Sequence, residues 1–417
     1  MKDPFHNPIG DRKDRCIIMK FGLYGINGVY NFGCEAIIRG TFRFLKDCRS
    51  DAEILYYTYN YEYDSRVLAD LDIEIVKIKN KRNMLNRAIN KALSFISVEK
   101  RILTFNWDEL INSVDVIVSI GGDMYTIPES VRSDKKYPYY NSLADFCNRA
   151  INRGKQVVAY GASMGPWGNY KKAIDYFVRN VSKYRYCICR EHMTIDYLNR
   201  HDVLNTFFQP DPAFLVTLSD EKENTCNKKF IGINFSPLSL REVYGEYSEE
   251  MICKFSRILE RVIETIDSDI LLIPHVLSDV ESDNDELMLR RVLESMSESY
   301  QKRTVLADTS NGFLGIKEQL HSCKYVVAAR MHCAINAITE GIPAVFLSYS
   351  QKSQGMAQYV YHSQKWMLSI KKVDTDLLPL MIEMEKSWKD ISSYLGNRMV
   401  EIKQEYRRLQ EEQKLFK

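Results

Sequence analysis

Short β-rich runs alternate with amphipathic helical stretches along the whole of this chain, and that alternation restricts the fold more than any single motif does. Strands separated by helix-length segments can pair in parallel with helices covering the sheet, whereas a sandwich or a bundle needs a different order of elements. In the first half, strands are expected at Cys16 to Tyr24, Ile54 to Tyr59, Ile73 to Ile78, Val114 to Ile120, Gln156 to Tyr160 and Tyr186 to Cys189. Between the first two, Ile37, Ile38, Thr41, Phe44 and Leu45 share one face of a helix over Glu35 to Leu45. The polar stretch Ser219 to Lys229 has no apolar periodicity and reads as an interdomain linker. A second unit follows, with strands at Phe230 to Asn234, Ile270 to Ile273, Thr304 to Ala307, Tyr325 to Ala329 and Ala344 to Leu347, and helices that include Glu249 to Ile266 and Asp285 to Met296. Near the C-terminus, Met399, Ile402, Tyr406 and Leu409 form an apolar stripe at helical spacing that is expected to dock on the body of the protein.

The order implies an α/β protein of two doubly wound, Rossmann-like domains facing each other across a cleft. They are expected over residues 16–218 and 230–375, with a helical segment over 376–417, and 417 residues suit two domains better than one core. Ligands of open parallel sheets sit beyond the carboxyl ends of the strands. The loops after Tyr24, Ile120, Tyr160, Cys189, Ile273, Ala329 and Leu347 are therefore where chemistry is expected.

Lysine plus arginine (57) nearly balances aspartate plus glutamate (55), so no global field recruits nucleic acid and an anionic ligand has to be held by a local cluster. Met1 to Arg15 is polar and charged without an apolar core, and no uninterrupted apolar span is long enough for a bilayer; neither secretion nor membrane spanning is expected. The ten cysteines lack Cys-x-x-Cys spacing, and Cys16, Cys187 and Cys189 lie in apolar strand-like runs. That usage fits a reduced, cytoplasmic protein without a structural metal. The basic stretch Lys77 to Arg101, with Lys79, Lys81, Arg82, Arg87 and Lys91, reads as a solvated helix face, with peripheral contact to an anionic membrane as the alternative.

The segment Ala328-Ala329-Arg330-Met331-His332-Cys333-Ala334 carries an apolar strand into the start of a helix. A helix N-terminus stabilises an anion through its open N–H groups and dipole. Arg330 adds a planar fork suited to carboxylate or phosphate, and His332 can exchange a proton near neutrality. A structural turn with a capping arginine is the plainer alternative. After the first expected strand, Gly25 to Glu35 forms a glycine-bearing loop whose spacing matches neither a dinucleotide nor a Walker fingerprint. Glu35 there is either a base for a sugar hydroxyl or a complement to the helix dipole. Val118 to Tyr125 opens into Gly121-Gly122-Asp123, where Asp123 either accepts from a hydroxyl or caps a turn. In Ala159 to Trp167, Trp167 either stacks on a sugar or seals the domain edge. Arg190-Glu191 reads as an ion pair at a strand end, and His275 with Asp279, Asp283 and Asp285 as an acidic solvated loop in preference to a cation site. Tyr349-Ser350-Gln351-Lys352-Ser353 supplies a lysine among hydroxyls beside the Arg330 segment.

Taken in order from about Phe21 to about Gly355, these segments resemble the polysaccharide pyruvyl transferase family. The matching pieces are Asn31-Phe32-Gly33-Cys34-Glu35-Ala36, the turn ending at Asp123, Tyr160 to Pro166, Arg190-Glu191, Asp211-Pro212-Ala213-Phe214, Ile231 to Pro237, Arg330-Met331-His332 and Tyr349 to Gly355. The resemblance implies a fold like that of the GT-B glycosyltransferases, with phosphoenolpyruvate as donor and a saccharide or lipid-linked oligosaccharide as acceptor. The product is a pyruvate ketal on a cell-surface polysaccharide or its precursor, with phosphate released and no cofactor or metal required.

Residue by residue, the resemblance and the loops together make His332, Arg330, Asp123 and Glu35 the catalytic candidates. Arg190, Arg330, Met331, His332, Ser350 and Lys352 are the candidates for holding the donor, and Asn31, Gly33, Gly122, Asp123, Ser163 and Trp167 for the acceptor. Cys34 and Asp123 depart from the commoner family pattern, and both fall on the expected acceptor side. The rival readings are a nucleotide-sugar glycosyltransferase of the same architecture and a catalytically silent glycan-binding subunit.

Overall fold

The computed structural model describes residues 18–80, 84–95, 105–127, 141–218, 228–245, 248–348 and 351–413. They build two all-parallel sheets. The first contains β1 (Lys20–Tyr24), β2 (Glu53–Thr58), β3 (Glu74–Lys77), β4 (Val116–Ile120), β5 (Gln156–Ala162), β6 (Tyr186–Cys189) and β7 (Thr206–Phe208), in the order β3-β2-β1-β4-β5-β6-β7. The second contains β8 (Phe230–Asn234), β9 (Asp269–Leu272), β10 (Thr304–Leu306), β11 (Cys323–Ala328), β12 (Ala344–Ser348) and β13 (Met367–Ser369), in the order β10-β9-β8-β11-β12-β13. Strand order reverses between β1 and β4 in one sheet and between β8 and β11 in the other, and a crevice opens at such switch points.

The expected strands all form, with ends shifted by a few residues. Two more, β7 and β13, were not legible. Each is three residues long at a sheet edge, too short for a repeating pattern and without the adjacent β-branched residues Thr304 and Val305 that mark the equally short β10. The helix Phe32–Cys48 begins earlier than its apolar stripe implies, because the Asn31 side chain accepts the Gly33 N–H at 2.9 Å and caps it. Most of the expected linker, 219–227, lies outside the described residues.

A single apolar cluster runs from Phe21, Phe32 and Ile37 of the first domain into Phe313, Val326 and Ile335 of the second. Each fully buried side chain of this size contributes about 1.5–3 kcal/mol, so the interface is held as a core would be. Backbone pairing adds to it: the Phe32 N–H donates to the His275 carbonyl and the Leu277 N–H to the Tyr30 carbonyl, both at 3.0 Å. The 41-residue helix Val373–Gln413 packs Leu377, Met381 and Met384 on the second domain. Farther along, Met399, Ile402, Tyr406 and Leu409 are buried in the shared cluster, and the Tyr406 hydroxyl donates to the Pro210 carbonyl of the first domain at 2.9 Å. Among the described residues no helix is long and apolar enough to cross a membrane.

Candidate active site

The switch point of the second sheet delivers Arg330 and His332 to the interdomain crevice. Arg330 is the N-cap of the helix Met331–Ile338, and no side chain caps that helix. Its own N–H donates to Asn234 Oδ1 at 2.8 Å, which ties the turn to the end of β8. The guanidinium is turned into the protein: Nη2 donates to Asp283 Oδ1 at 2.7 Å and Asp285 Oδ1 at 2.8 Å, while Nε reaches Asp285. Asp285 is fully buried and also accepts from the His275 N–H at 3.2 Å. Burial alone would lower the Arg330 pKa, but Asp285 and Asp283 outweigh it and keep the cation charged. His275 is pushed well below the usual imidazole range, first by burial and then by the charges of His332 and Arg330. It is neutral and accepts from Asn336 Nδ2 at 2.8 Å.

From the first domain, Arg190 sits just beyond β6 and is almost entirely buried. Three loops meet on it. Nη1 donates to Asp211 at 2.7 Å, Nη2 to Asp123 at 3.0 Å and Nε to the Ser163 hydroxyl at 3.0 Å, and Ser163 in turn donates to Glu191 at 2.9 Å. Gly122 is required for this arrangement: a Cβ there would lie 2.5 Å from Arg190 Nη2. Burial pushes the Asp211 carboxyl up, but His332, Arg190 and the hydrogen bond from the Ala213 N–H hold it well below the usual carboxylate range.

Asp211 links the two domains. Its Oδ2 lies 3.3 Å from His332 Nε2, an ion pair whenever the ring carries both protons. The approach is not aligned as a hydrogen bond, so Nε2 is buried beside the carboxylate without a hydrogen bond. On the ring's other side, a Cβ at Gly33 would stand 2.7 Å from His332 Nδ1, so only glycine lets the helix Phe32–Cys48 approach the imidazole this closely. Cys34 follows, partly covered, and burial pushes its thiol up to about 12.

Several expected roles are revised. Glu35 does not face His332: two helical residues beyond Gly33 is a rotation of about 200°, which points its side chain into the interior. It is buried there and accepts from Arg39 Nε at 2.8 Å. Burial pushes its carboxyl up to about 7 against the pull of Arg39. Trp167 presents no face to a sugar: it is fully buried, stacked on Phe177 at 5.0 Å, with its indole N–H donating to the Tyr125 carbonyl at 2.7 Å. Asn31 is occupied as a helix cap, and Gly33 as the seat of His332. Gly122, Asp123 and Ser163 enclose Arg190, and the Asp123 side chain stays largely exposed. Asp283 and Asp285, read as a solvated loop, are the carboxylates that hold Arg330.

Met331 is partly exposed in the first turn beside His332. Ser350 lies outside the described residues. For Lys352 only its position is described, as the second residue of the helix Gln351–Tyr361. Asp211 has no assigned role in the sequence reading; the Asp-Pro pair signals only the short 3-10 turn that it caps.

Next to Arg190 a cavity of about 1050 Å³ opens between the β6–β7 edge, the helix Gln351–Tyr361 and the C-terminal helix.

The model of the polysaccharide pyruvyl transferase family matches residues 31–351, which include Arg190, Asp211, Arg330 and His332. The chain belongs to that family. Its fold is of the GT-B type, and solved structures of that type align along nearly its whole length. Anabaena HepE in complex with UDP and glucose aligns over 95% of this chain and 100% of its own, with TM-score 0.56 and 10% identity. MnaA of S. aureus with UDP aligns over 90% and 91%, with TM-score 0.55 and 10% identity. A glycosyltransferase from Rickettsia africae aligns over 94% and 97%, with TM-score 0.53 and 11% identity. At such identity the likeness concerns the fold alone. A comparison with curated proteins returned no match.

Proposed function

We propose that this pyruvyl transferase family member uses phosphoenolpyruvate as donor and forms a pyruvate ketal on a saccharide. The observation that carries the reading is His332 Nε2, buried in the crevice without a hydrogen bond beside a carboxylate that it shares with Arg190. A buried polar atom whose hydrogen bond is unmade is a site that a ligand can complete. Here it stands at an uncapped helix N-terminus, which favours an anion.

His332 gives its proton to the methylene carbon of the donor, and positive charge develops on the neighbouring carbon. An acceptor hydroxyl attacks that carbon, forming a C–O bond, and its proton returns to His332. The bond to the phosphate oxygen then breaks, and a second hydroxyl of the same sugar closes the ketal. Of the two hydroxyl protons, one is balanced by the new methyl hydrogen and the other leaves on the phosphate. Arg190 and the helix N-terminus hold the donor's carboxylate and phosphate, while Asp211 keeps Arg190 and the imidazole in register. Arg330 positions the helix through Asp283 and Asp285.

The experiment is a mass-spectrometric search for a pyruvyl ketal, with parallel measurement of phosphate release, after incubation with phosphoenolpyruvate and a glycan panel. A ketal that forms with wild-type protein and not with His332→Ala supports the reading. Because HepE and MnaA are seen with UDP, nucleotide sugars form the second arm; turnover of those and not of phosphoenolpyruvate would replace it with glycosyl transfer.

A further inference from the structure

The cavity beside Arg190 is more than a three-carbon donor needs. At about 1050 Å³ it lies at the top of the roughly 300–1,000 Å³ range of pockets that enclose drug-sized ligands. We propose that this cavity is the acceptor site and that it receives an uncharged saccharide segment. The proposal rests on the pyruvyl-transfer reading and moves the acceptor from the glycine-bearing loop of the first domain to the side covered by the C-terminal helix.

Its walls have the chemistry of a polyol site. Arg398, a buried cation of that wall, is matched within the protein. Arg398 donates from Nη1 to Glu401 at 2.8 Å and to Glu405 at 3.3 Å, and from Nη2 to the Tyr359 carbonyl at 3.1 Å. A diphosphate deep in this wall would have to displace the pairs of Arg398, whereas a neutral sugar needs only planar donors and acceptors. Gln354 and Gln358, one helical turn apart on the helix Gln351–Tyr361, supply amides that both donate and accept. Phe207, Phe208 and Tyr359 add apolar faces for sugar C–H groups; the Phe208 and Tyr359 rings meet edge to face at 5.7 Å.

A second observation points to a ligand. Arg398 is 5% exposed, lines the cavity, and has a buried Nε with no hydrogen-bond partner. An acceptor hydroxyl could complete it. The position is also suitable for transfer, because Arg190 belongs both to the cavity wall and to the pair that reaches His332 through Asp211. A sugar in the cavity thus borders the donor.

The test uses the full chain, with p-nitrophenyl β-glycosides of glucose, galactose and N-acetylglucosamine as probes. Saturation-transfer NMR reads glycoside contact, and thermal unfolding with phosphoenolpyruvate reads the donor separately. Gln358 is exposed, so Gln358→Trp should fold while filling the cavity. It should weaken glycoside binding roughly tenfold or more and leave the donor-induced shift unchanged. Glu401→Gln should weaken glycoside binding without loss of the donor shift. The proposal is overturned if Gln358→Trp binds glycosides as the wild type does, if wild-type protein contacts none of them, or if UDP displaces them from the same cavity. A glycoside site sensitive to Gln358→Trp in a protein that gives no donor shift would instead overturn the pyruvyl-transfer reading and leave the cavity as a saccharide site.

Discussion

Arg190 and Arg330 each stand just past the carboxyl end of a parallel strand, yet they are held in different ways. Arg190 gathers Asp123, Ser163 and Asp211 from three separate loops and forms part of a cavity wall. Arg330 spends its fork on Asp283 and Asp285 of one loop, and Asp285 is further fixed by Asn234 and His275. The same residue at the same kind of position lines a cavity in one domain and braces a loop in the other. What separates them is whether the matching groups come from three loops or from one.

The largest effect is expected between the two arginines. His332→Ala should reduce turnover by about two orders of magnitude or more, the scale of a lost general acid, with stability near that of the wild type. Steady-state assay with phosphoenolpyruvate checks this, and near-normal turnover would remove His332 from the mechanism. The next effect bears on the brace. Arg330→Leu leaves Asp285 buried without its cation and should cost about 3–5 kcal/mol in denaturant unfolding. Arg190→Leu should cost less, because Asp211 retains His332 and the Asp123 side chain is 60% exposed. Equal losses would erase the distinction.

Gly33→Ala tests how closely the first domain must approach His332. A methyl group 2.7 Å from Nδ1 has to displace the ring. Catalysis tolerates such shifts poorly, so kcat should fall by roughly 10- to 100-fold with little change in the KM for the donor. A rise in KM with kcat intact would instead assign Gly33 to binding. The smallest effect concerns Glu35. Its carboxyl, raised from the ordinary value of 4.5 to about 7, holds a proton in the folded protein that the unfolded chain has released. Stability from this group is therefore present below about pH 4.5 and lost as pH rises toward 7. Glu35→Gln should flatten that decline in a pH series of unfolding temperatures, and an unchanged pH profile would mean that Arg39 compensates the charge fully.

The fold was legible because hydrophobic periodicity is local: β8 and the helix Glu249–Ile266 fall on the residues their patterns imply. The edge strands β7 and β13 were not, since three residues carry no period and neither has the pair of β-branched residues, Thr304 and Val305, that marks the equally short β10. Arg190, Arg330 and His332 could be singled out as polar residues at strand ends. Their partners could not, because Asp211 and Asp285 lie 21 and 45 residues away from Arg190 and Arg330 and look like turn formers in sequence. Trp167 and Glu35 show the converse error. A chemically suggestive side chain after a strand or in a first helical turn can face the core, and only the packing of the neighbouring helices decides this.

The most direct measurement is the change in unfolding temperature caused by phosphoenolpyruvate in the wild type, Arg190→Leu and Arg330→Leu, since a ligand of the native state raises its apparent stability. The donor should stabilise the wild type, should still stabilise Arg330→Leu from a lower starting temperature, and should have no effect on Arg190→Leu. A wild-type protein that does not respond, or a response kept without Arg190 and lost without Arg330, would contradict the assignment of ligand and brace.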